Sequence, residues 1–143
     1  MTRLIALCFL GLAAAAVGVS GQAPAKHEHG ENMMQCAKEC ADCQLECDAC
    51  FRHCLGLIKD SKHEHEKTAR LCADCGECCK ACATLCARES LLARPMLECC
   101  KECCKQCAET CEKFTDDKHM AACAKACRDC EKQCDETLRQ MGK

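Results

Sequence analysis

The apolar positions of this chain are occupied mainly by cysteine, and they recur with the period of an α-helix. In the first and fourth of four groups, steps of three and four residues place every thiol on one stripe of a helix. The second group has one such stripe with Cys78 as an extra neighbour beside it, and the third has two interleaved stripes on a widened face. Most of the residues between them are good helix formers, and they put charge on the opposite faces. The pattern therefore predicts four amphipathic helices. The groups are Cys36, Cys40, Cys43, Cys47, Cys50 and Cys54; Cys72, Cys75, Cys78, Cys79, Cys82 and Cys86; Cys99, Cys100, Cys103, Cys104, Cys107 and Cys111; and Cys123, Cys127, Cys130 and Cys134.

Breaks in the pattern predict where the helices end, at residues 56–61, 88–95 and 114–117. Pro95 suits the first turn of the third helix, and Thr115 or Asp116 can cap the fourth. Because short connections make neighbouring helices antiparallel, we predict an all-α fold, an antiparallel up-down four-helix bundle.

The predicted bundle has too few conventional core residues. After residue 21 the chain contains no Val and a single Ile, Ile58. Sulfur occupies the positions that must face inward, so we predict a cysteine-lined core. Free cysteine packs as a small hydrophobe, but it buries less apolar area than leucine does. Bound metal would supply the missing cross-links.

The N-terminal residues are typical of an export signal. Arg3 supplies one positive charge, and residues 4–19 form an apolar run that is too short for a stable membrane anchor. Cys8 lies inside this run and is interpreted as a small apolar residue. We expect a signal peptide over residues 1–21, cleaved after Gly21 or Ala25, then a flexible segment over 22–32 and the bundle over 33–143. This predicts a periplasmic or extracellular protein.

Composition excludes some classes of function. The chain has 20 basic and 22 acidic residues, no Trp or Tyr and three Phe, so it lacks the basic face and stacking aromatics of a nucleic-acid binder. Its 23 cysteines in 143 residues instead indicate a metal protein or a disulfide scaffold.

The spacing of the thiols favours copper(I). Cysteines at i and i+4, such as Cys43 and Cys47, point the same way and can grip one ion. Soft thiolates select Cu(I), which accepts a near-linear two-sulfur site that tetrahedral Zn(II) does not favour. Facing helices could share ions in clusters. Many equivalent sites indicate storage capacity rather than catalysis, and no cysteine stands apart as a nucleophile with a base partner.

Three alternatives stay open. Export and an even number of cysteines after residue 21 would suit a disulfide-stapled structural or interaction domain, although almost no cysteine lies in a predicted loop. The run from Cys72 through Cys75 and Cys78 to Cys82 has the spacing of a bacterial ferredoxin, but Ala83 replaces the expected proline. A zinc or broad-spectrum metal buffer is chemically close to a copper store.

Three stretches resemble the copper storage protein family. Residues 47–54 are similar to the family's first-helix signature, residues 107–114 to the end of its third helix, and residues 122–134 to its last helix. The resemblance implies a four-helix bundle filled with Cu(I), often a homotetramer, with ions entering at one end. Copper donor or acceptor proteins would be its partners.

In that family a histidine beside the mouth precedes methionines, and the matching residue here is His53. The methionines are missing, and antiparallel geometry brings replacements from the start of the second helix, with His63 and His65, and of the fourth, with His119 and Met120. The predicted metal ligands are therefore the 22 grouped cysteines with His53, His119 and Met120.

Two further expectations concern the N-terminal part. Exported members of the family commonly carry a twin-arginine signal, whereas only Arg3 is present here, which favours unfolded export and copper loading outside the cytoplasm. The tract with His27 and His29, followed by Met33 and Met34, is interpreted as a linker, with copper collection as the alternative.

Overall fold

The computed structural model describes residues 25–142, with side chains from residue 30 onward. Within those residues the chain forms four long helices and no strand. Helices that are consecutive in sequence pack together, and the fourth also packs against the first, which closes an up-down bundle. The predicted all-α fold is confirmed. The helices are α1 (Ala25–Lys59), α2 (Glu66–Ala87), α3 (Ala93–Cys111) and α4 (Lys118–Met141).

Helix α1 begins ahead of the expected boundary at residue 33. The residues of the predicted signal peptide, with Cys8 and the cleavage position after Gly21, lie outside the described part of the chain, as do the side chains of His27 and His29. None of the described helices is both long enough and apolar enough to cross a bilayer.

The first two helices end in the same way. Ser61 and Glu89 adopt left-handed backbone conformations, with φ of 68° and 47°. The next residue in each case donates its N–H back into the last turn, Lys62 to the carbonyl of Leu57 and Ser90 to that of Leu85. This pattern is the Schellman motif, which satisfies carbonyls that a helix end leaves free. It reverses the chain within a few residues and makes the neighbouring helices antiparallel.

The cap of α4 differs from the prediction. Neither Thr115 nor Asp116 is the N-cap; that residue is Asp117, whose side chain accepts hydrogen bonds from the backbone N–H groups of His119 and Met120. The reason is that the chain first forms a short 3-10 turn at Glu112–Phe114, which moves the start of α4 along the sequence. Pro95 lies in the first turn of α3, as predicted.

Helices α1 and α2 pack closely at Gly76. A Cβ atom there would lie 3.1 Å from Asp48 Oδ1 and 3.8 Å from the Cβ of Cys47, so the carboxylate of Asp48 would have to shift to admit a larger residue. On the opposite side, Arg128 of α4 binds both carboxylate oxygens of Glu112 at 2.8 and 2.9 Å. These contacts hold adjacent thiol stripes at a fixed separation.

The core consists mainly of sulfur, and nineteen cysteines are buried with at most 1% of their surface exposed. The prediction that all 22 line the core is wrong for three of them. Cys99 is exposed, and Cys78 and Cys103 are only partly buried. All three belong to the extra stripes of α2 and α3, which point about 100° away from the inward stripe because successive helical residues turn by that angle.

Candidate metal centre

Thiols from different helices approach one another as closely as thiols on the same helix. The Sγ atom of Cys127 lies 3.6 Å from that of Cys47, and the Sγ atoms of Cys79 and Cys104 are also 3.6 Å apart. The i,i+4 pair Cys75 and Cys79 is wider, at 3.9 Å. Pairs on one helix therefore do not form isolated sites, and any bound ion has candidate ligands on neighbouring helices.

The buried thiols form groups of four whose Sγ atoms all lie within 4.8 Å of one another. Three of the groups below take one cysteine from each helix, and several cysteines belong to two groups. Four of the groups are linked by shared members, and the fifth joins them through the 3.6 Å contact between the Sγ atoms of Cys40 and Cys130, so the sulfur atoms form one connected column along the bundle axis. Five of the groups are Cys40, Cys82, Cys100 and Cys134; Cys43, Cys79, Cys104 and Cys130; Cys43, Cys47, Cys75 and Cys127; Cys47, Cys107, Cys123 and Cys127; and Cys50, Cys72, Cys111 and Cys123.

The donor set of these groups is uniform. Each member offers a thiol sulfur, and no carboxylate oxygen takes part, which suits a soft ion. Hydrogen bonds from neighbouring thiols, together with burial, raise the pKa of Cys40, Cys47 and Cys104. Those three thiols hold their protons at neutral pH in the metal-free chain. A binding ion must displace protons to create the thiolates that hold it.

Imidazoles cluster at the end of the bundle where α1 finishes and α4 begins. His53 Nε2 lies 2.6 Å from Asp117 Oδ2, and the His53 ring stacks on His119 with centroids 4.5 Å apart. A carboxylate only accepts, so Nε2 carries a proton and donates to Asp117, which leaves Nδ1 as the ring nitrogen that can face a metal ion. Carboxylates orient metal-binding histidines in this way.

Asp117 stays ionised over a wide pH range. Partial burial raises its pKa, but hydrogen bonds from His53 and from the backbone N–H groups of Met120 and His119 outweigh that effect. The result is a pKa below the ordinary aspartate value. One carboxylate therefore both caps α4 and fixes the tautomer of His53.

His65 lies at the same end and is buried, with 6% of its surface exposed. Its ring packs on Phe114 at a centroid distance of 4.3 Å, and its Nδ1 atom has no hydrogen-bond partner among the described residues. Cys54 is the outermost core thiol of α1 here. Hydrogen bonds from Cys50 and Cys72, with the nearby rings of His65 and His53, lower the pKa of Cys54 to about 3.

Met120 faces the core from the first turn of α4. Its side chain is fully buried, and its Sδ atom accepts a hydrogen bond from the thiol of Cys50 at 3.5 Å. The structure thus brings together His53, His119 and Met120 near the outermost thiols. His63, by contrast, is largely exposed and pairs with Glu66 on the surface at 3.2 Å. His63 therefore does not lie with His53, His119 and Met120 near the outermost thiols.

The opposite end of the bundle is covered by apolar side chains. Met33 precedes Cys36 by one turn of α1 and is buried, whereas its neighbour Met34 is exposed. Leu97 of α3 is fully buried in the same core cluster, and the buried hydroxyl of Thr137 of α4 donates to the carbonyl of Gln133 at 2.8 Å. The first turns of α1 at this end contain His27 and His29, whose side chains are not described, and from residue 30 onward no histidine lies here. Met33 and Met34 belong to the tract for which copper collection was the alternative interpretation. Their side chains point in different directions, one into the core and the other to solvent.

The three cysteines outside the core lie together between α2 and α3. Cys78 Sγ is 3.2 Å from Cys103 Sγ and 4.0 Å from Cys99 Sγ. Burial, together with the neighbouring thiols, raises the pKa of Cys103, and burial raises that of Cys78. We call these three residues the surface trio.

We call the end of the bundle that contains His53, His65, Asp117, His119 and Met120 the polar end. Sequence reasoning missed two residues there. Asp117 was overlooked, although an aspartate three residues before an inward-facing Met120 is a recognisable N-cap signal. His65 was considered as a replacement ligand but not kept in the predicted set. Nothing in its local spacing shows that Phe114, almost fifty residues further along the chain, covers its ring.

Comparison with known proteins gives a consistent result. A family model described as copper storage protein matches residues 11–139. A cytosolic copper storage protein from Streptomyces lividans, solved with five coppers, is 30% identical with a TM-score of 0.73, covering 79% of this chain and 97% of that one. The same organism's protein, Ccsp, loaded with 10 copper equivalents, also has 30% identity and a TM-score of 0.73, over 84% and 93%.

A third structure extends the likeness. The Cu(I)-bound copper storage protein BsCsp3 is 29% identical with a TM-score of 0.68, covering 77% of this chain and 98% of that one. Among curated proteins, no relative matches.

The prediction of export is wrong, because the similar Streptomyces lividans protein is described as cytosolic. The thiols give a physical reason. All described cysteines are free, with neighbouring Sγ atoms 3.2 to 4.0 Å apart. An oxidising compartment would favour disulfides among such thiols, whereas the cytosol keeps them reduced.

Proposed function

This chain belongs to the copper storage protein family, and from that premise we propose how it works: it binds and stores multiple Cu(I) ions through the thiolates of its own core. The observation that carries the proposal is the connected column of four-thiol groups, which no substrate can reach and which contains no other donor. The proposal assigns no catalytic role to any residue.

Capacity follows from the sharing of thiols between groups. Because Cys43, Cys47 and Cys123 each belong to two groups, a thiolate can bridge two ions, and loading one site orders the ligands of the next. Each thiol that is protonated before it binds, such as Cys40, Cys47 or Cys104, releases its proton to solvent. Loading is therefore opposed by acid, and low pH should release ions from the store.

We assign the polar end as the place where Cu(I) enters. His53 Nδ1 and His65 Nδ1, which has no hydrogen-bond partner among the described residues, offer nitrogen ligands beside Cys54, a thiol whose pKa is lowered. Met120 then offers a thioether in contact with Cys50. An ion can move from nitrogen to sulfur along this path without passing an apolar layer. His119, stacked on His53, is the remaining proposed ligand.

The experiment is an anaerobic titration of the metal-free protein with Cu(I) in competition with a chromophoric chelator. We expect the protein to bind several Cu(I) ions per chain before the chelator begins to take up metal. A variant with Cys43→Ser and Cys104→Ser, whose Sγ atoms are 4.0 Å apart, should bind fewer ions. The matched control carries Asp42→Ser and Lys105→Ser, which alter the exposed neighbours of the same two thiols and should leave the capacity unchanged.

Zinc storage is the outcome that would replace this proposal. If Zn(II) displaced Cu(I) at equal concentration in the presence of a reductant, the store would be a zinc or general metal buffer. Mostly oxidised thiols in anaerobically purified metal-free protein would instead support a disulfide domain.

We further propose that the bundles assemble as a homotetramer and exchange copper with donor or acceptor proteins. The support from this chain is its exposed apolar surface, since Leu91 and Leu92 are 99% and 64% exposed on the connection before α3. Sedimentation of the purified chain tests the assembly. A monomer at every concentration would contradict it.

A further inference from the structure

The surface trio differs from the core thiols in accessibility. Cys99 is exposed, and Cys78 and Cys103 are partly open to solvent, whereas the nineteen core cysteines are closed to it. The Cys78–Cys103 Sγ distance of 3.2 Å is shorter than the core Sγ distances, which are 3.6 Å or more. The trio therefore is a compact thiol cluster that a solvent-borne ligand can touch.

The geometry of the trio is that of a small metal site. Cys99 and Cys103 lie one turn apart on the same face of α3, and Cys78 reaches across from α2, with its Sγ 4.0 Å from Cys99 and 3.2 Å from Cys103. Two rigid helices thus place three soft donors together, with the Sγ atom of Cys78 within 4.0 Å of both of the others. A disulfide would use only two of them and would leave the convergence of the third unexplained.

We propose that Cys78, Cys99 and Cys103 form a second Cu(I) site on the flank of the bundle, separate from the core, which exchanges its ion with thiol-bearing carriers in solution. The choice of Cu(I) as the ion rests on the proposed function. Exchange proceeds by ligand substitution: an incoming thiolate binds the exposed ion, a trio sulfur leaves it, and that sulfur takes up a proton from solvent. No electron is transferred.

Accessibility decides the rates. A chelator can attack an ion on the trio directly, because one side of Cys99 faces solvent. An ion in the core is surrounded by buried sulfur and must first move to an end of the bundle. The surface site therefore adds little storage capacity, roughly one ion for three thiolates. Its contribution is a fast route by which that ion exchanges with solution.

The first test mixes fully loaded full-length protein with an excess of bathocuproine disulfonate under anaerobic conditions. We expect a fast phase of roughly one ion per chain, followed by slow removal of the rest. A variant with Cys78→Ser, Cys99→Ser and Cys103→Ser should lose the fast phase and keep the slow one. The matched control places three serines in the core, at Cys40, Cys100 and Cys134, and should keep the fast phase with reduced slow amplitude.

The second test locates the ion by alkylation and does not depend on variants that fold. Loaded protein is treated with iodoacetamide before and after the fast phase, and the labelled peptides are identified by mass spectrometry. Label should appear on the surface trio only after the fast phase, while the core cysteines stay protected.

Several results would overturn the surface site. These are an unchanged fast phase in the trio variant, equal labelling of Cys99 in loaded and metal-free protein, or a Cys78–Cys103 disulfide in anaerobically isolated protein. The proposed function fails in a different way, because without core storage the slow phase would be absent from the unaltered protein. If the slow phase were present but the fast phase did not depend on the surface trio, only the proposed surface site would be contradicted.

Discussion

The two ends of the bundle differ in what covers the outermost core thiols. Where α1 finishes and α4 begins, the covering groups are the imidazoles of His53 and His65 and the carboxylate of Asp117. At the other end the covering groups are apolar, with Leu97 fully buried and Met33 nearly so. The sulfur column between them is continuous.

This difference arises from the connections rather than from the thiol stripes. The turn before α2 supplies His65 and the turn before α4 supplies Asp117, whereas the turn before α3 is followed by the apolar side chain of Leu97. A neutral nitrogen can bind an arriving Cu(I) ion and release it again, but a methyl group cannot. Two similar ends of one column therefore differ in their chemistry through a few residues in and beside the connections.

The largest expected effect is the stabilisation of the folded bundle by Cu(I) ions bound in the sulfur column. Saturating Cu(I) should raise the melting temperature strongly, because each ion binds only the folded bundle and stabilises it by about 4 kcal/mol when present at roughly a thousand times its dissociation constant. Thermal unfolding followed by circular dichroism, with and without Cu(I), measures the shift.

The variant of the surface trio serves as the control for that shift. Its loss of roughly one exposed ion should lower the stabilisation only slightly, since most ions remain in the core. If loading left the unfolding curve unchanged in the unaltered protein, the ions would not lie between helices, and the comparison of the two ends would lose its meaning.

The second prediction removes the apolar cover. Leu97→Ala should reduce the free energy of unfolding of the metal-free protein by about 2–5 kcal/mol, because it deletes a fully buried side chain and leaves a cavity. It should also speed Cu(I) uptake if the leucine is what closes this end. Chemical denaturation and stopped-flow uptake from a chromophoric complex give the two quantities.

Leu45→Ala is the matched control, because Leu45 is 64% exposed on α1 and its loss should change stability by less than about 0.5 kcal/mol. Unchanged uptake in a destabilised Leu97→Ala protein would mean that the apolar cover does not limit access, and the second end would have to be closed by something else.

The sequence predicted the sulfur column better than its ends. Thiol spacing is a helical period, and such a period determines which side chains share a face, so the core cysteines of α1 and α4 were all placed correctly. Cys78 was recognised as lying beside the stripe of α2, but the two interleaved stripes of α3 were left undecided, because adjacent cysteines such as Cys99 and Cys100 cannot both face inward and the spacing does not say which one does.

The polar end depends on contacts between distant residues. Asp117 meets His53 across 64 residues of sequence, and Phe114 covers His65 from another helix pair. No local pattern encodes such a pairing, since it forms only after the four helices have packed. Export was wrongly predicted for a similar reason: an apolar N-terminal run is a local signal, while the close packing of thiols that an oxidising compartment would oxidise is a property of the whole core.

The third prediction tests the polar end directly. His53→Ala should slow Cu(I) uptake roughly tenfold without changing the number of ions bound, because it removes a ligand at the mouth but no core thiol. His63→Ala is the control, since His63 belongs to the same end but faces solvent beside Glu66. Stopped-flow uptake and equilibrium titration separate rate from capacity. Equal slowing by the two variants would show a general charge effect rather than a ligand at a defined position.

The smallest effect concerns Asp117, which has the two tasks of capping α4 and orienting His53. Asp117→Ala removes both and should cost about 1 kcal/mol of stability at neutral pH.

Asp117→Asn keeps a capping side chain but loses the charge. Because the folded-state pKa of Asp117 lies below its ordinary value of 3.8, the charge contributes its full stability above that value and loses it as pH falls through the folded pKa. The stability difference between the unaltered protein and Asp117→Asn should therefore stay level above about pH 5 and shrink in stronger acid, as measured by denaturation of the metal-free proteins at several pH values. A difference that grew on acidification would mean that Asp117 is not an ionised acceptor, and the tautomer assigned to His53 would lose its basis.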